Sequence, residues 1–236
     1  MILAINTSTL EFGLAILEDD GTVLTEYSMS KGAGHFGSLM PALHFLLTTS
    51  ESDIRDLEAI VVAIGPGSFT GLRVGLSIAK GLCHALDIPI IGISSLEALA
   101  SELPSSDLPL APILDSRKGE FFTARFSWND DNNLIRCTED VSLRLEEFPT
   151  LFKEPALFIG NNFAGQSIPV KKTLGPLALM SPSHCWSLKA SAVGSLGLRR
   201  FHAHDFDDLH TLSPIYLRPP DIRPNVFSTP QTTNNR

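Results

Sequence analysis

The most informative stretch of this sequence reads Gly65-Pro66-Gly67-Ser68-Phe69-Thr70-Gly71-Leu72-Arg73-Val74-Gly75. The apolar run Leu57–Ile64 precedes it and predicts a buried strand, and the periodic run Leu72–Leu86 predicts a helix. Glycine and proline at this density predict a loop with unusual backbone dihedrals and close approach to a neighbour. Such a loop at a helix start presents free backbone N–H groups, which suit an anion or a closely docked partner.

Two common phosphate-binding motifs do not match this loop. A P-loop requires a second glycine and then a lysine, but Thr70 stands at the glycine position and no lysine follows. A dinucleotide-binding fingerprint needs its third glycine at position 70, whereas this chain has it at Gly71. Ser68 matches a nucleophile elbow only in part, because Pro66 and Thr70 occupy the flanking glycine positions. Two interpretations remain: a tight turn that binds no ligand, and an element that docks onto a partner.

Composition argues against several classes of protein. The chain has 236 residues, 43% of them hydrophobic, and a formal net charge of −8. The hydrophobic share supports a folded core, and the negative charge argues against direct nucleic-acid binding by the isolated chain. Cys83, Cys137 and Cys185 have no metal-ligand or redox spacing and are expected to be buried free thiols. No signal peptide or membrane-spanning run is found, so a cytoplasmic protein is expected.

The first 108 residues predict one lobe, with three strands followed by alternating helices and strands. In the order β-β-β-α-β-α-β-α, the predicted elements cover Ile2–Ile5, Phe12–Leu17, Thr22–Ser28, His35–Leu47, Leu57–Ile64, Leu72–Leu86, Ile88–Ile93 and Leu96–Leu103. Three antiparallel strands that lead into a parallel βαβ unit predict a mixed sheet with helices on its faces. This is the ribonuclease-H-like order found in actin-like and sugar-kinase-like proteins.

Residues 109–218 predict a second α/β lobe, linked to the first by the proline-rich stretch Pro104–Pro112. The predicted strands cover Ala111–Asp115, Glu120–Trp128, Leu134–Thr138 and Ala156–Gly160, and the predicted helices cover Leu145–Phe152 and Ser187–Phe201. We expect the last helix, at about 187–201, to pack back on the first lobe. The four prolines among residues 219–236 predict a disordered tail.

Five segments carry a family resemblance and occur in the family's order along the chain. They are Ile2–Ser8, Gly65–Gly75, Asp115–Glu120, Ile159–Asn161 and Pro214–Arg218, of which the second is highly specific. With these segments the chain resembles the TsaB family, also called YeaZ, the non-catalytic subunit of the bacterial machinery that makes threonylcarbamoyladenosine in tRNA. The resemblance implies a two-lobed actin-like fold of the ribonuclease-H-like (ASKHA) class, with mixed sheets flanked by helices. It also implies a cytoplasmic scaffold without catalytic residues.

The resemblance further implies partners. The main one is the paralogous catalytic subunit TsaD, which holds the metal and ATP and transfers the threonylcarbamoyl group to adenosine next to the anticodon. The small ATPase TsaE completes the assembly, tRNA is contacted only indirectly, and the isolated chain is expected to form a homodimer. No cofactor is expected on the chain alone, but ATP or ADP is expected at the interface with the partner, near Gly65, Gly67 and Ser68.

The second predicted helix carries a strip of small residues that has two interpretations. Gly71, Gly75 and Ala79 recur every four residues, so they lie on one side of the helix. Small residues there let another backbone come close, either from this chain's own sheet or from a partner. Because the family pairs through its first two helices, the resemblance favours the partner. The predicted interface consists of His35, Leu39, Leu43, Ser68, Phe69, Thr70, Gly71, Arg73, Val74, Gly75, Ile78, Ala79 and Leu82.

Two features argue against chemistry by this chain alone. A His-x-x-x-His pair binds the metal in the paralogue, and Ser95 and Leu99 stand at the corresponding positions here, so no metal site is predicted. The family usually has an aspartate where this chain has Asn6, and an amide lacks the charge that a metal-bound nucleotide requires. Asn6 is expected to bond the turn that follows it. The alternatives are an actin-fold ATPase or phosphotransferase, and a glycoprotease-like hydrolase.

Overall fold

The structure, a computed structural model, describes residues 1–30, 35–116 and 119–218. Two mixed sheets covered by helices form two lobes with a cleft between them. This architecture confirms the prediction of a two-lobed α/β protein. The predicted disordered tail, residues 219–236, lies outside the described residues.

The sheet of the first lobe combines an antiparallel meander with a parallel pair. Its strands are β1 (Ile2–Asn6), β2 (Glu11–Leu17), β3 (Val23–Ser30), β4 (Ala59–Gly65) and β5 (Ile90–Ser94). They lie in the order β3-β2-β1-β4-β5, and β1 pairs antiparallel with β2 and parallel with β4. Strand β1 is paired along both edges and, with helices on both faces of the sheet, is buried throughout, which explains its apolar run Ile2–Ile5.

Helices cover both faces of the first sheet. Helices α1 (Leu39–Thr49) and α2 (Phe69–Leu86) pack on one face, and α3 (Ser95–Ser101) packs on the other. Helix α2 begins at Phe69 rather than at the predicted Leu72 because the Ser68 hydroxyl caps it, accepting from the Gly71 N–H at 3.4 Å. Helix α1 begins at Leu39 because a short 3-10 helix, His35–Ser38, precedes it.

The second lobe contains the remaining strands. Its strands are β6 (Leu110–Asp115), β7 (Glu120–Thr123), β8 (Phe126–Trp128), β9 (Leu134–Arg136), β10 (Val141–Arg144), β11 (Ala156–Gly160) and β12 (Ala178–Met180). The main path is β10-β7-β6-β11-β12, and β8 pairs with both β6 and β9. The helices along this part of the chain are α4 (Phe148–Leu151), α5 (Phe163–Leu174) and α6 (Ala190–His202).

Helix α6 follows the second lobe in sequence but packs on the first sheet. A Cβ on Gly194 would lie 2.5 Å from a Leu17 methyl carbon, and one on Gly197 would lie 2.3 Å from Val61. The two glycines therefore let the helix approach β2 and β4 closely. Helix α3 shares this core and also contacts strands of the second lobe, so the two lobes have a common apolar base.

Helix α5 and strands β10 and β12 are not predicted by the sequence patterns. Pro169 lies inside α5, where proline argues against a helix, and two buried residues of this helix, Gln166 and Ser167, are polar. The signal that could indicate α5 is Asn162, whose side chain accepts from the N–H of the third helical residue at 3.0 Å. The predicted strand Glu120–Trp128 is divided because β7 pairs with β10 whereas β8 pairs with β9.

Candidate functional site

The loop between β4 and α2 rests on the turn that follows β1. The Ser68 N–H donates to the Ser8 carbonyl oxygen at 2.7 Å. A Cβ at Gly67 would lie 2.2 Å from the same oxygen, so a side chain does not fit there. At least one N–H group of this loop is thus bonded inside the chain rather than presented to a ligand.

Gly65, at the end of β4, is covered by the last described segment of the chain. Its φ of +116° favours glycine, and a Cβ here would lie 2.7 Å from the Ile215 carbonyl oxygen. The Ile215 N–H in turn donates to the Ile64 carbonyl oxygen at 2.7 Å. Gly65 is buried as a result, so Ile215 obstructs the predicted nucleotide contact at this residue. Gly67 and Ser68 are half-buried at the cleft, where that contact stays a prediction.

The strip of small residues on α2 faces this chain's own first lobe. A Cβ on Gly75 would lie 2.1 Å from the Thr7 hydroxyl oxygen. The same hydroxyl donates to the Gly71 carbonyl oxygen at 2.8 Å, and Ala79 is fully buried. The predicted partner contact at Gly71, Gly75 and Ala79 is therefore wrong, because Thr7 and the sheet already occupy the space that these residues leave.

Part of the predicted interface on helix α1 is likewise buried in the core of this chain. Leu39 and Leu43 are exposed by only 1% and 3% and belong to the apolar core under the helix, so the predicted partner contact is wrong for them too. The accessible apolar residues of α1 are instead Met40 and Phe45, with 49% and 58% exposure, and the Phe45 ring lies 6.3 Å from that of Tyr27 on β3. Sequence reasoning did not place these two residues at the interface, and helical periodicity offered a signal only for Phe45, which lies off the apolar face of the helix. The side chain of His35 lies outside what the structure describes.

The rest of the predicted interface is accessible. Thr70 and Arg73 are exposed, and the half-buried residues are Ser68, Phe69, Val74, Ile78 and Leu82. Contact of these residues with a partner is sterically open and stays a prediction.

Asn6 is fully buried and bonded at both ends of its amide. Its Nδ2 donates to the Leu188 carbonyl oxygen at 2.7 Å, just before α6. Its Oδ1 accepts from the Ser8 N–H at 3.0 Å and from the Ser8 hydroxyl at 2.7 Å. The side chain therefore bonds the following turn, as expected, and also ties that turn to the entrance of α6. A carboxylate would place an oxygen against the Leu188 carbonyl, so an amide suits this position better.

The positions that correspond to the paralogue's metal-binding pair do not suit a metal. Ser95 and Leu99 of α3 are both fully buried, and Leu99 belongs to the apolar core. The Ser95 hydroxyl has no hydrogen-bond partner among the described residues, but a single neutral hydroxyl beside aliphatic groups is not a set of metal ligands. Within 1–30, 35–116 and 119–218, no three His, Cys, Asp or Glu side chains converge.

The cleft between the lobes has a volume of about 420 Å³, enough for a small ligand. Its lining comes from Ser8–Leu10 and Gly67–Phe69 of the first lobe, from Leu114–Ser116, Gly119–Phe122 and Asn161 of the second, and from Ile215–Arg218. Residues 215–218, which follow both lobes in sequence, therefore also line this cleft.

A buried glutamine orients two polar groups in this cleft. Gln166 is 1% exposed, and its Nε2 donates to Asp115 Oδ1 and to Asn161 Oδ1, both at 2.9 Å. Its Oε1 accepts from the Asn162 N–H at 3.1 Å, so the amide orientation is determined. Sequence reasoning missed Gln166 because it lies on α5, which the patterns do not predict.

An aromatic and cationic cluster lies where α2 begins. The Arg73 guanidinium carbon is 3.9 Å from the centre of the Phe69 ring, and Arg73 Nε donates to the Tyr216 hydroxyl at 3.0 Å. The rings of Phe69 and Tyr216 are 5.1 Å apart. Tyr216 thereby adds a residue from the end of the described chain to the accessible part of the predicted interface.

The three cysteines differ in environment. Cys83 is buried on the inner side of α2, and loss of hydration there raises the pKa of its thiol to about 12. Cys137 is exposed and Cys185 is half-buried. The prediction of buried free thiols is therefore correct for Cys83 and wrong for Cys137, which lies on an exposed strand end.

Comparisons with known proteins agree with these observations. The family model described as TsaD, tRNA N6-adenosine threonylcarbamoyltransferase, matches residues 30–195. The tRNA threonylcarbamoyladenosine biosynthesis protein TsaB of Bacillus subtilis is 36% identical over 221 residues, covering 92% of this chain and 93% of that protein. TsaB of Escherichia coli is 34% identical over 135 residues, covering 56% of this chain and 57% of that protein.

Solved structures share the fold. YeaZ from Pseudomonas aeruginosa matches with a TM-score of 0.75 at 21% identity, covering 91% of this chain and 99% of that one. The ethanolamine utilization protein EutJ from Carboxydothermus hydrogenoformans matches with a TM-score of 0.51 at 12% identity, covering 83% and 89%. The predicted actin-like ASKHA fold is confirmed. None of the helices in the described part of the chain is long and apolar enough to cross a membrane.

Proposed function

The chain belongs to the TsaB family, and from this premise we propose that it is a non-catalytic scaffold subunit of the machinery that makes threonylcarbamoyladenosine in tRNA. In this role it pairs with a TsaD-like catalytic subunit and holds that subunit in its competent arrangement. The names of its relatives support the biosynthetic role.

The observation that supports the pairing is the outer side of helices α1 and α2. On these helices the apolar side chains Met40, Phe45, Val74, Ile78 and Leu82, which we call the docking surface, remain exposed or half-buried, while Val74, Ile78 and Leu82 also pack partly against the core beneath them. Apolar groups that stay accessible on the two helices of one sheet face indicate a protein contact. Arg73, exposed beside them, would act as a rim charge that affects partner choice more than affinity.

The residues around the loop support a role without chemistry of its own. Asn6 uses both ends of its amide inside the fold, and Ser95 and Leu99 are buried in the core. A metal-bound nucleotide would need carboxylate or imidazole ligands, which these three positions do not supply. The chemistry then belongs to the catalytic partner.

Further members of the assembly follow from the same proposal. A TsaE-like ATPase would complete the complex, and ATP or ADP would lie at the interface with the catalytic partner near Gly67 and Ser68. The net charge of −8 supports an indirect contact with tRNA. Without its partner, the chain would form a homodimer through the docking surface, because an apolar patch on one side of a protein is readily shared by two copies. We propose a cytoplasmic location for this assembly.

Co-purification with the TsaD-like subunit of the same genome tests the pairing. We expect a stoichiometric complex in size-exclusion chromatography with light scattering, and transfer of threonylcarbamoyl to tRNA by the partner only when this chain is present. Separate elution of the two chains at micromolar concentrations would contradict the proposal.

Isothermal titration of the isolated chain with ATP and Mg²⁺ tests the absence of its own chemistry. We expect no binding, because the positions that would hold the metal carry an amide, a hydroxyl and an aliphatic group. Micromolar binding would contradict a role as scaffold only and would support the actin-fold ATPase or phosphotransferase alternative. Cleavage of a peptide substrate would support the glycoprotease-like hydrolase.

A further inference from the structure

The last described residues, 214–218, contact both lobes across the cleft. On the first lobe, the Ile215 N–H donates to the Ile64 carbonyl oxygen at 2.7 Å. The glycine at position 65 allows this approach, since a Cβ there would lie 2.7 Å from the Ile215 carbonyl oxygen. The segment is thus joined to the end of β4 by its backbone.

Two side chains of the segment extend this contact in opposite directions. Tyr216 lies on the first lobe, where its hydroxyl accepts from Arg73 Nε at 3.0 Å and its ring is 5.1 Å from that of Phe69. Arg218 lies on the second lobe, where its Nη1 donates to the Ser116 carbonyl oxygen at 3.4 Å and is 3.6 Å from a Glu120 carboxylate oxygen.

We propose that residues 214–218 form a strap that holds the two lobes together across the cleft and limits how far the cleft opens. Tyr216 and Arg218 are its two anchoring side chains. At the base of the cleft the lobes already share an apolar core through α3. The strap supplies a second connection, made of a few polar and aromatic contacts that can open without disrupting that core.

The strap also makes two surfaces depend on each other. Tyr216 holds Arg73 and Phe69 at the start of α2, and the same segment lines the cleft. A change in the position of Arg73 therefore alters the anchoring of the strap, and opening of the cleft alters the position of Arg73 in return. This dependence is a property of the isolated chain and holds whether or not the proposed partner binds.

Hydrogen exchange of the full-length isolated chain tests the strap, with the Ile215 amide as the reporter. This amide bonds to the first lobe, whereas Arg218 contacts the second. If the strap acts as one unit, Arg218→Ala speeds exchange of the Ile215 amide by about tenfold, as expected for loss of a charge-assisted contact. Tyr216→Ala has a similar effect, and Tyr216→Phe, which keeps the ring, a smaller one. Arg199→Ala, which removes an exposed arginine of α6, leaves the rate unchanged.

A distance measurement between the lobes supplies an independent test. Spin labels are placed on Cys137 of the second lobe and on Ser77→Cys of the exposed side of α2, in a Cys185→Ser background. We expect a narrow distance distribution that broadens with Arg218→Ala. The proposal is overturned if the Ile215 amide of the unmodified chain exchanges at the rate of an unstructured peptide. It is also overturned if Arg218→Ala leaves both that amide and the distance distribution unchanged.

Discussion

The two sides of helix α2 have different neighbours, although both consist largely of small and apolar residues. On the inner side, Gly75 and Ala79 are buried against the first lobe, with Thr7 in the space that a side chain at position 75 would fill. On the other side, Val74 and Ile78 are only half-buried and pack partly against the same core. The spacing of small residues thus indicates that a backbone comes close, but not which one. Exposed apolar side chains are the better indication of a partner surface.

The largest expected effect comes from enlarging the inner side. Gly75→Leu should destabilise the chain by about 3 kcal/mol or more, because even its Cβ would lie 2.1 Å from the Thr7 hydroxyl oxygen. Urea unfolding measures the loss. Gly81→Leu on the same helix is the matched control, since a Cβ there meets nothing within 4 Å. Equal stability of the two variants would show that the inner side is not packed as described.

The second largest effect is expected from a substitution of Asn6, which bonds the turn that follows β1. Asn6→Asp should cost about 2 kcal/mol or more at pH 7, because a buried carboxylate would face the Leu188 carbonyl oxygen at the site of the present 2.7 Å bond. Burial would raise the pKa of this aspartate in the folded state above its value in the unfolded chain.

The sign of the pH dependence follows from that shift. The folded variant would bind more protons than the unfolded one above the ordinary aspartate pKa, so its stability should fall as pH rises. Thermal unfolding of the variant and the unmodified chain at pH 4.5 and pH 7 measures the difference. A stability gap that does not widen towards pH 7 would contradict the prediction.

A substitution on the outer side should leave the fold intact but remove pairing. Phe45 is 58% exposed and its ring lies 6.3 Å from that of Tyr27, so Phe45→Glu should lower the free energy of unfolding by only about 1 kcal/mol. A carboxylate in an apolar interface should nonetheless prevent both the homodimer and the complex with the catalytic partner, as measured by light scattering. Ile135→Glu, on β9 of the second lobe and 44% exposed in the native chain, serves as the control. If pairing persists in the Phe45→Glu variant, the interface must lie elsewhere on the chain.

The last prediction concerns the reactivity of the native thiols and needs no substitution on the inner side of α2. In a Cys185→Ser background at pH 8, Cys137 should react with a thiol reagent at least about a hundredfold faster than Cys83. Cys83 lies two helical turns beyond Gly75 on the buried side, and its pKa is raised to about 12, so little thiolate is present. Mass spectrometry of labelled peptides over time measures both rates. Similar rates would mean that the inner side of α2 opens readily.

Local patterns were sufficient for much of the fold. The apolar runs of β1 and β4, the polar turn after β2 and the glycine-rich loop predict the order of the first lobe, because each element depends on residues close in sequence. The family-specific loop predicts membership as well. Helix α5 was not predicted because it contains Pro169 and buries polar residues. The burial of Gln166 is explained only by its hydrogen bonds to Asp115 and Asn161, which are distant in sequence or lie outside the helix.

The sequence by itself therefore determined the elements of the first lobe and their order, the family, and the absence of metal-binding side chains at positions 95 and 99. The tertiary structure decided which side of α2 faces inward, that Ile215 covers Gly65, and that Asn6 joins the first turn to α6. Each of these rests on a contact between residues far apart in the chain. Local spacing specifies the shape of a segment, whereas the identity of its neighbour depends on how all segments pack together.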